Sequence, residues 1–270
     1  MAAKTPEIAE PLECETISCP VDTCLVPADL VLVSSDGIRV GAHSHCLELY
    51  SGGFISVLPT ISATEALEET AEVLEILMYY MHNGRQPSSR NIPFHILQAL
   101  AAAAEKYLVY SAMEVLNLQM ERYIPSHPLQ VLIYAVKYDY PDLSDKAGPL
   151  SIGVPFETVL NETENRPDIL LLWTRYREYY LEIVHTIYAS EPAPVLHPGG
   201  IADCGKWSEF HYTMLNKVAG SAEGVSKFSH NLKQLGFMLA GCFHCVQRSE
   251  NWKHAITKRV EKIPAFSSMA

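Results

Sequence analysis

The chain has 270 residues and a mass of 30.1 kDa, is 48% hydrophobic and 19% charged, and has a mean hydropathy of +0.04. That composition excludes wholesale disorder, and the length favours two modest domains over one large one. A net charge of -11 leaves no cation excess to grip phosphates, which excludes a dedicated nucleic-acid binder.

Charge is unevenly divided. Residues 1–125 carry 6 basic and 16 acidic side chains, and residues 126–270 carry 14 and 15. The change falls at Pro125-Ser126-His127-Pro128, where two prolines interrupt any helix. The expected organisation is an arm over residues 1–24, a first domain over 25–125 and a second over 126–270. The opening MAAKTPEIAEPLECE lacks the basic start and apolar run of a signal peptide. No stretch approaches the roughly 18 apolar residues of a membrane span. Cytosol or nucleus is the expected compartment, with no membrane partner.

In chain order, Ala28–Val33 and Ile38–Val40 flank Ser34-Ser35-Asp36-Gly37 and predict a β-hairpin. A short helix over Ala42–Tyr50 stops at Ser51-Gly52-Gly53. Val73, Leu74, Leu77, Met78 and Met81 then line one helical face, ended by Asn83-Gly84 as a left-handed cap. Ile96, Leu97, Leu100, Ala101 and Ala104 repeat the spacing, as do Met113, Leu116, Met120 and Tyr123. The fold class is α+β, with a small sheet and a helical majority. Past residue 165 the pattern is all helical: Pro167–Tyr188 with a broad aromatic face, then Phe228–Ala240 and Trp252–Val260.

Asp29-Leu-Val-Leu-Val33, Val40-Gly-Ala-His43, Cys46-Leu47, Ser51 and Phe54 together resemble the opening of a BTB/POZ domain. The helix ending at Gly84 and the pair over Phe94–Tyr123 resemble the rest of that domain. Residues 126–150 resemble the start of the BACK-like helical extension found after many of them, and the late Cys/His/Trp pattern resembles BTB proteins of basidiomycete fungi. Asp29, His43, Leu47, Ser51, Phe54 and Gly84 are the signature positions. For Asp29 and His43 the expected work is hydrogen bonding to backbone groups beside the hairpin. The resemblance implies a protein-interaction module that homodimerises or recruits the cullin-3 ubiquitin ligase. Residues 1–27 hold little apolar material for a swapped helix. The loop after Phe54 offers Ile61, or Leu67 with Glu69, as a partner loop.

Seven cysteines stand at 14, 19, 24, 46, 204, 242 and 245, too scattered and odd in number for a disulfide framework. The first four show no metal-ligand spacing and read as small buried apolar residues or exposed thiols. Cys242-Phe243-His244-Cys245 has the two-residue gap that turns both sulfurs toward one ion. Cys204 with His211, or with His197 or His244, is placed to complete a structural zinc site. The competing readings are buried neighbouring thiols and a CxxC redox pair on Cys242 and Cys245. Phosphate-loop, nucleophile-elbow, zinc-protease and dinucleotide motifs are absent from the sequence. The expectation is therefore a non-enzymatic scaffold or adaptor. A cullin-3 substrate adaptor is the first alternative and a thiol redox protein the second.

Overall fold

A β-hairpin opens the first unit of the computed structural model, which describes residues 18–54, 67–202 and 204–269. Strand β1 (Leu30–Val33) pairs antiparallel with β2 (Arg39–Ala42), Leu30 opposite Ala42 and Val33 opposite Arg39. The reversal depends on Gly37, whose φ of +78° lies where a Cβ is strained. The buried Ser34 hydroxyl locks the turn, donating to Ile38 O and accepting from Ile38 N–H.

Two hairpin aspartates satisfy helix N-termini that their own caps leave open. Asp29 accepts from Ser44 N–H at 2.8 Å and from the Ser44 hydroxyl at 2.5 Å, at the start of α1 (Ser44–Tyr50). Asp36 accepts from Ala71 N–H at 3.0 Å, at the start of α2 (Ala71–Tyr80), where Thr70 makes no side-chain cap. Hydrogen bonds from the Ser44 hydroxyl and amide hold the Asp29 carboxyl below its ordinary range. Those from Ser34 and Ala71 do the same for Asp36.

Helices α3 (Phe94–Lys106) and α4 (Tyr110–Arg122) follow, with Leu108 at φ +54° in the break between them. The apolar face of α2 is the buried one (Val73, Leu74, Leu77, Met78), as it is in α3 (Ile96, Leu97, Leu100, Ala101, Ala104). Leu47 and Phe54 are fully buried. Phe54 stacks on Tyr107 at 3.9 Å with rings 8° apart, and the Ser51 hydroxyl accepts from Phe54 N–H. Gly52 and Gly53 donate to Leu108 O and Tyr107 O. A Cβ on Gly53 would lie 2.7 Å from Tyr107 Cα, so the two backbones meet where only glycine fits. Gly53→Ala is expected to cost about 1–3 kcal/mol, since the overpacked neighbour is backbone and cannot swing away. A urea titration at constant m-value measures it.

Gly84 does not cap α2. The helix ends at Tyr80, Met81 N–H turns back to Met78 O, and Gly84 has no left-handed φ. The end is satisfied instead by the imidazole of His82, whose Nδ1 lies 2.7 Å from Met78 O.

The chain divides into two compact units between Met120 and Glu121, in the last turn of α4. The second unit contains α5 (Pro128–Lys137), α6 (Pro141–Ser151), α7 (Phe156–Glu162) and α8 (Pro167–Ala189), followed by α9 (Gly205–Val218), α10 (Ala222–Ser226), α11 (Phe228–Leu235) and α12 (Phe243–Val260). Proline opens α5, α6 and α8, where its missing N–H costs nothing. The core side of α8 carries Ile169, Trp173, Tyr176, Tyr180, Ile183, Val184 and Ile187, and Trp173 Nε1–H donates to Ser151 Oγ at 3.1 Å. Phe266, in a closing 3₁₀ turn (Phe266–Met269), packs on Gly148, and Asp145 accepts from Ser267 N–H and its hydroxyl at 2.8 and 3.0 Å.

Two late helices differ from the spacing-based reading. Residues 228–240 split into α11 and a 3₁₀ turn (Gly236–Leu239), and α12 starts at Phe243 rather than Trp252. Over that first stretch only Cys245 and Arg248 are buried before Trp252 and Ile256, so the inward stripe contains a cysteine and an arginine and escapes a hydrophobicity pattern. No helix among the described residues is long and apolar enough to cross a membrane.

Candidate metal centre

Between α8 and α9, the bridge among the described residues pairs His197 with Ile201. Gly199 and Gly200, at φ +83° and +78°, fold this loop back on itself. His197 N–H donates to Ile201 O at 2.9 Å and Gly200 N–H to His197 O at 3.0 Å, which fixes where the imidazole starts from.

Cys204 and Cys242 occupy equivalent places, the N-caps of α9 and α12. Each carbonyl already accepts a helical N–H (from Trp207 and Ser208, and from Val246), and each sulfur sits at the positive end of a helix. Cys245 lies three residues into the turn that Cys242 opens, so the pair wraps one helical turn, with the Cys245 amide donating to the Cys242 sulfur.

His197, Cys204, Cys242 and Cys245 bring one ligand atom each to within 4.8 Å of one another. His197 Nε2 is 3.0 Å from Cys242 Sγ and 3.7 Å from Cys245 Sγ. Tetrahedral zinc, with Zn–S of about 2.3 Å and Zn–N of about 2.0–2.1 Å, sets sulfur and nitrogen ligands roughly 3.6 Å apart. The donor set, three thiols and one imidazole, is of the Cys₃His type, and it fits the ion.

The electrostatics are uneven. Cys242 is pulled down to about 6, first by the Cys245 amide and then by the Cys245 thiol and His197. Cys204 is lowered by hydrogen bonding from Cys245 and the Lys206 amide. Cys245, 1% exposed, is pushed up to about 12 by burial and by the two neighbouring sulfurs. The Cys242 sulfur raises His197. Thiols crowded this closely share protons unequally until a cation takes their place.

Of the residues singled out from sequence, the fold brings Cys204, Cys242 and Cys245 together but leaves His211 out. His211 lies seven residues along the helix that Cys204 caps, roughly 10 Å away at 1.5 Å per residue. Its ring stacks on Trp207 (5.7 Å, 17°) and sits beside Trp252, with Nε2 buried and unpartnered and its pKa lowered by burial. The imidazole in the cluster is that of His197, while His244 tilts against it at 4.8 Å from outside.

A wall of buried aromatic and cationic groups backs the loop. Arg248, 7% exposed, lies 4.1 Å over the Trp207 ring and donates to Glu191 Oε1 and Pro192 O, and Trp207 Nε1–H donates to Glu191 Oε1 at 2.6 Å. These bonds hold the start of the 190–204 loop against α9 and α12. Hydropathy gives no sign of them, because an arginine is not expected inside.

The first unit holds residues that sequence spacing missed. Cys19, Cys24, His43 and His82 also bring one ligand atom each to within 4.8 Å of one another. His43 therefore faces sulfur, its Nε2 3.2 Å from Cys24 Sγ, rather than a backbone group, whereas Asp29 does serve backbone. Residues 18–24 are part of this packing, not a loose arm: Val21 is 4% exposed. Cys14 and Ile61 lie outside the described residues. Leu67 is buried with its N–H on Val33 O, and Glu69 accepts from the Tyr107 hydroxyl at 2.6 Å and from Lys106 at 2.9 Å. The Leu67 and Glu69 side chains are thus engaged internally instead of forming a partner loop. No family model, curated protein or solved structure matches this chain.

Proposed function

We propose that the chain is a non-catalytic protein-interaction scaffold. In this reading a BTB/POZ-type first unit is followed by a helical unit stapled by one structural zinc on His197, Cys204, Cys242 and Cys245. The carrying observation is the convergence of four protein ligands on one point. A structural zinc takes all four of its ligands from protein, whereas a catalytic one leaves a position for water or substrate. The order of hairpin, short helix and packed helices, with Asp29 on Ser44 and Phe54 on Tyr107, supports the BTB/POZ reading of the first unit. Apolar side chains exposed on that unit, Leu25 at 94% and Tyr110 at 66%, give a second copy something to cover. With Leu67 and Glu69 engaged inside the unit, the reading does not rest on cullin-3 recruitment.

Elemental analysis of the purified chain with light scattering tests it. His197→Ala is expected to remove one equivalent of zinc and His211→Ala none. A reversal of that pair overturns the ligand set, and a fixed mass of 30.1 kDa at all concentrations overturns self-association.

One observation favours a second reading. Cys242 caps a helix with a lowered pKa and has a buried partner three residues on, the arrangement of a dithiol redox pair. A 3₁₀ turn rather than a strand leads into that cap. Insulin reduction that is abolished by Cys242→Ser, by folded and zinc-free protein, would replace the zinc reading with this one.

A further inference from the structure

We propose that Cys19, Cys24, His43 and His82 hold a second zinc ion, which clasps residues 18–29 to the hairpin and to the end of α2. The four ligands come from three places: a loop ahead of the hairpin, the junction of β2 with α1, and the turn after α2. They are a Cys₂His₂ set of the kind that favours tetrahedral zinc.

The geometry is that of a shell already drawn in. Cys19 Sγ lies 3.4 Å from His82 Nε2 and Cys24 Sγ lies 3.2 Å from His43 Nε2. Both are close to the roughly 3.6 Å that tetrahedral zinc imposes between sulfur and nitrogen. The two rings meet edge to face at 5.4 Å, 67° apart. His82 is oriented as a ligand should be. Its Nδ1 is taken by the Met78 carbonyl at 2.7 Å, which fixes the proton there and leaves the Nε2 lone pair turned into the cluster. The same bond closes the end of α2, so that imidazole has two duties and little freedom.

The two sulfurs are presented by a tight loop. Contrary to the reading of the first four cysteines as lacking metal-ligand spacing, four residues separate Cys19 from Cys24, the upper end of the spacing of paired zinc thiolates. Cys24 N–H returns to Val21 O at 2.8 Å, and Val21 is anchored in the core. The segment also runs against the sheet: a Cβ on Gly41 would come 2.5 Å from Ser18 O, and Asp29 N–H donates to Ala42 O at 3.2 Å. Cys46 is half-buried nearby but stands outside the four.

This site is independent of the C-terminal one, and the test separates them. The 270-residue chain purified from zinc-supplemented culture is expected to hold two equivalents of zinc. Cys19→Ser/Cys24→Ser is expected to hold one, as is Cys242→Ser/Cys245→Ser, and Cys46→Ser two. His82→Cys keeps a ligand at that place and is expected to retain two equivalents even if the double serine variant folds poorly. Cobalt(II) loaded into Cys242→Ser/Cys245→Ser should show tetrahedral d–d absorption from the N-terminal site alone. One equivalent in the unaltered chain, lost in Cys242→Ser/Cys245→Ser but kept in Cys19→Ser/Cys24→Ser, overturns the second site and leaves the C-terminal staple standing. The opposite pattern sustains the second site and removes the first.

Discussion

Cys245→Ser, or chelation of the unaltered protein, is expected to abolish the cooperative folding of the C-terminal unit. A structural zinc contributes on the order of 10–16 kcal/mol in small zinc domains, comparable with the whole stability of an ordinary domain, about 5–15 kcal/mol. Cys245 is the most deeply buried of the four ligands and stands next to all the others. A serine there offers a poor ligand and leaves a hydroxyl among sulfurs. The unit also has a long tether to lose, because among the described residues between α8 and α9 the backbone pairing is a single isolated bridge, and the segment depends on His197 and Cys204 toward its far end. Far-UV circular dichroism with and without chelator reads the effect: the variant and the chelated protein should both lose helical signal. If the cysteines were merely small apolar residues, chelator would change nothing and the serine would cost about 1–3 kcal/mol for an unsatisfied buried hydroxyl.

The second large effect is expected at Trp207. Trp207→Ala removes a side chain that is 2% exposed, for a loss of about 3–5 kcal/mol. It also takes the ring from beneath Arg248 and the Nε1–H from Glu191. A buried guanidinium that loses part of its setting is more damaging than a lost apolar contact. Because Glu191 and Pro192 lead directly into the loop that carries His197, zinc affinity should fall in parallel with stability. Trp207→Phe keeps the stack and loses the hydrogen bond, so it should cost about 1–2 kcal/mol and retain zinc. Urea denaturation together with a competing chelator distinguishes the two. Unchanged zinc affinity in a strongly destabilised alanine variant would separate the aromatic wall from the metal centre.

What was legible in the sequence was local. Asp36-Gly37 marked the hairpin turn, the four-residue recurrence of apolar side chains marked α2 and α3, and the two-residue gap in Cys242–Cys245 marked two thiols on one helical turn. The other members of the two Cys/His clusters were not local. Whether His197 or His211 completes the set depends on how a loop with two left-handed glycines folds back, and the helix that begins at Cys204 carries His211 away from its own cap. His43 and His82 are separated by 39 positions in the sequence, and neither has a second ligand at a recognisable spacing. Only the packing of hairpin against helix brings them to Cys19 and Cys24. The inward stripe of α12 was hidden for a different reason, since a cysteine and an arginine occupy places that a hydrophobicity pattern reserves for leucine.

The seat of Phe266 on Gly148 has a kinetic corollary. The bonds from Ser267 to Asp145 span 122 positions, most of the length of the second unit. Contacts so remote along the chain carry a large loop-closure entropy and slow the search for the native state. During synthesis, α6 must wait with an open notch until residues 266 and 267 have been made. The second unit is therefore the one most exposed to premature aggregation while the polypeptide is still growing.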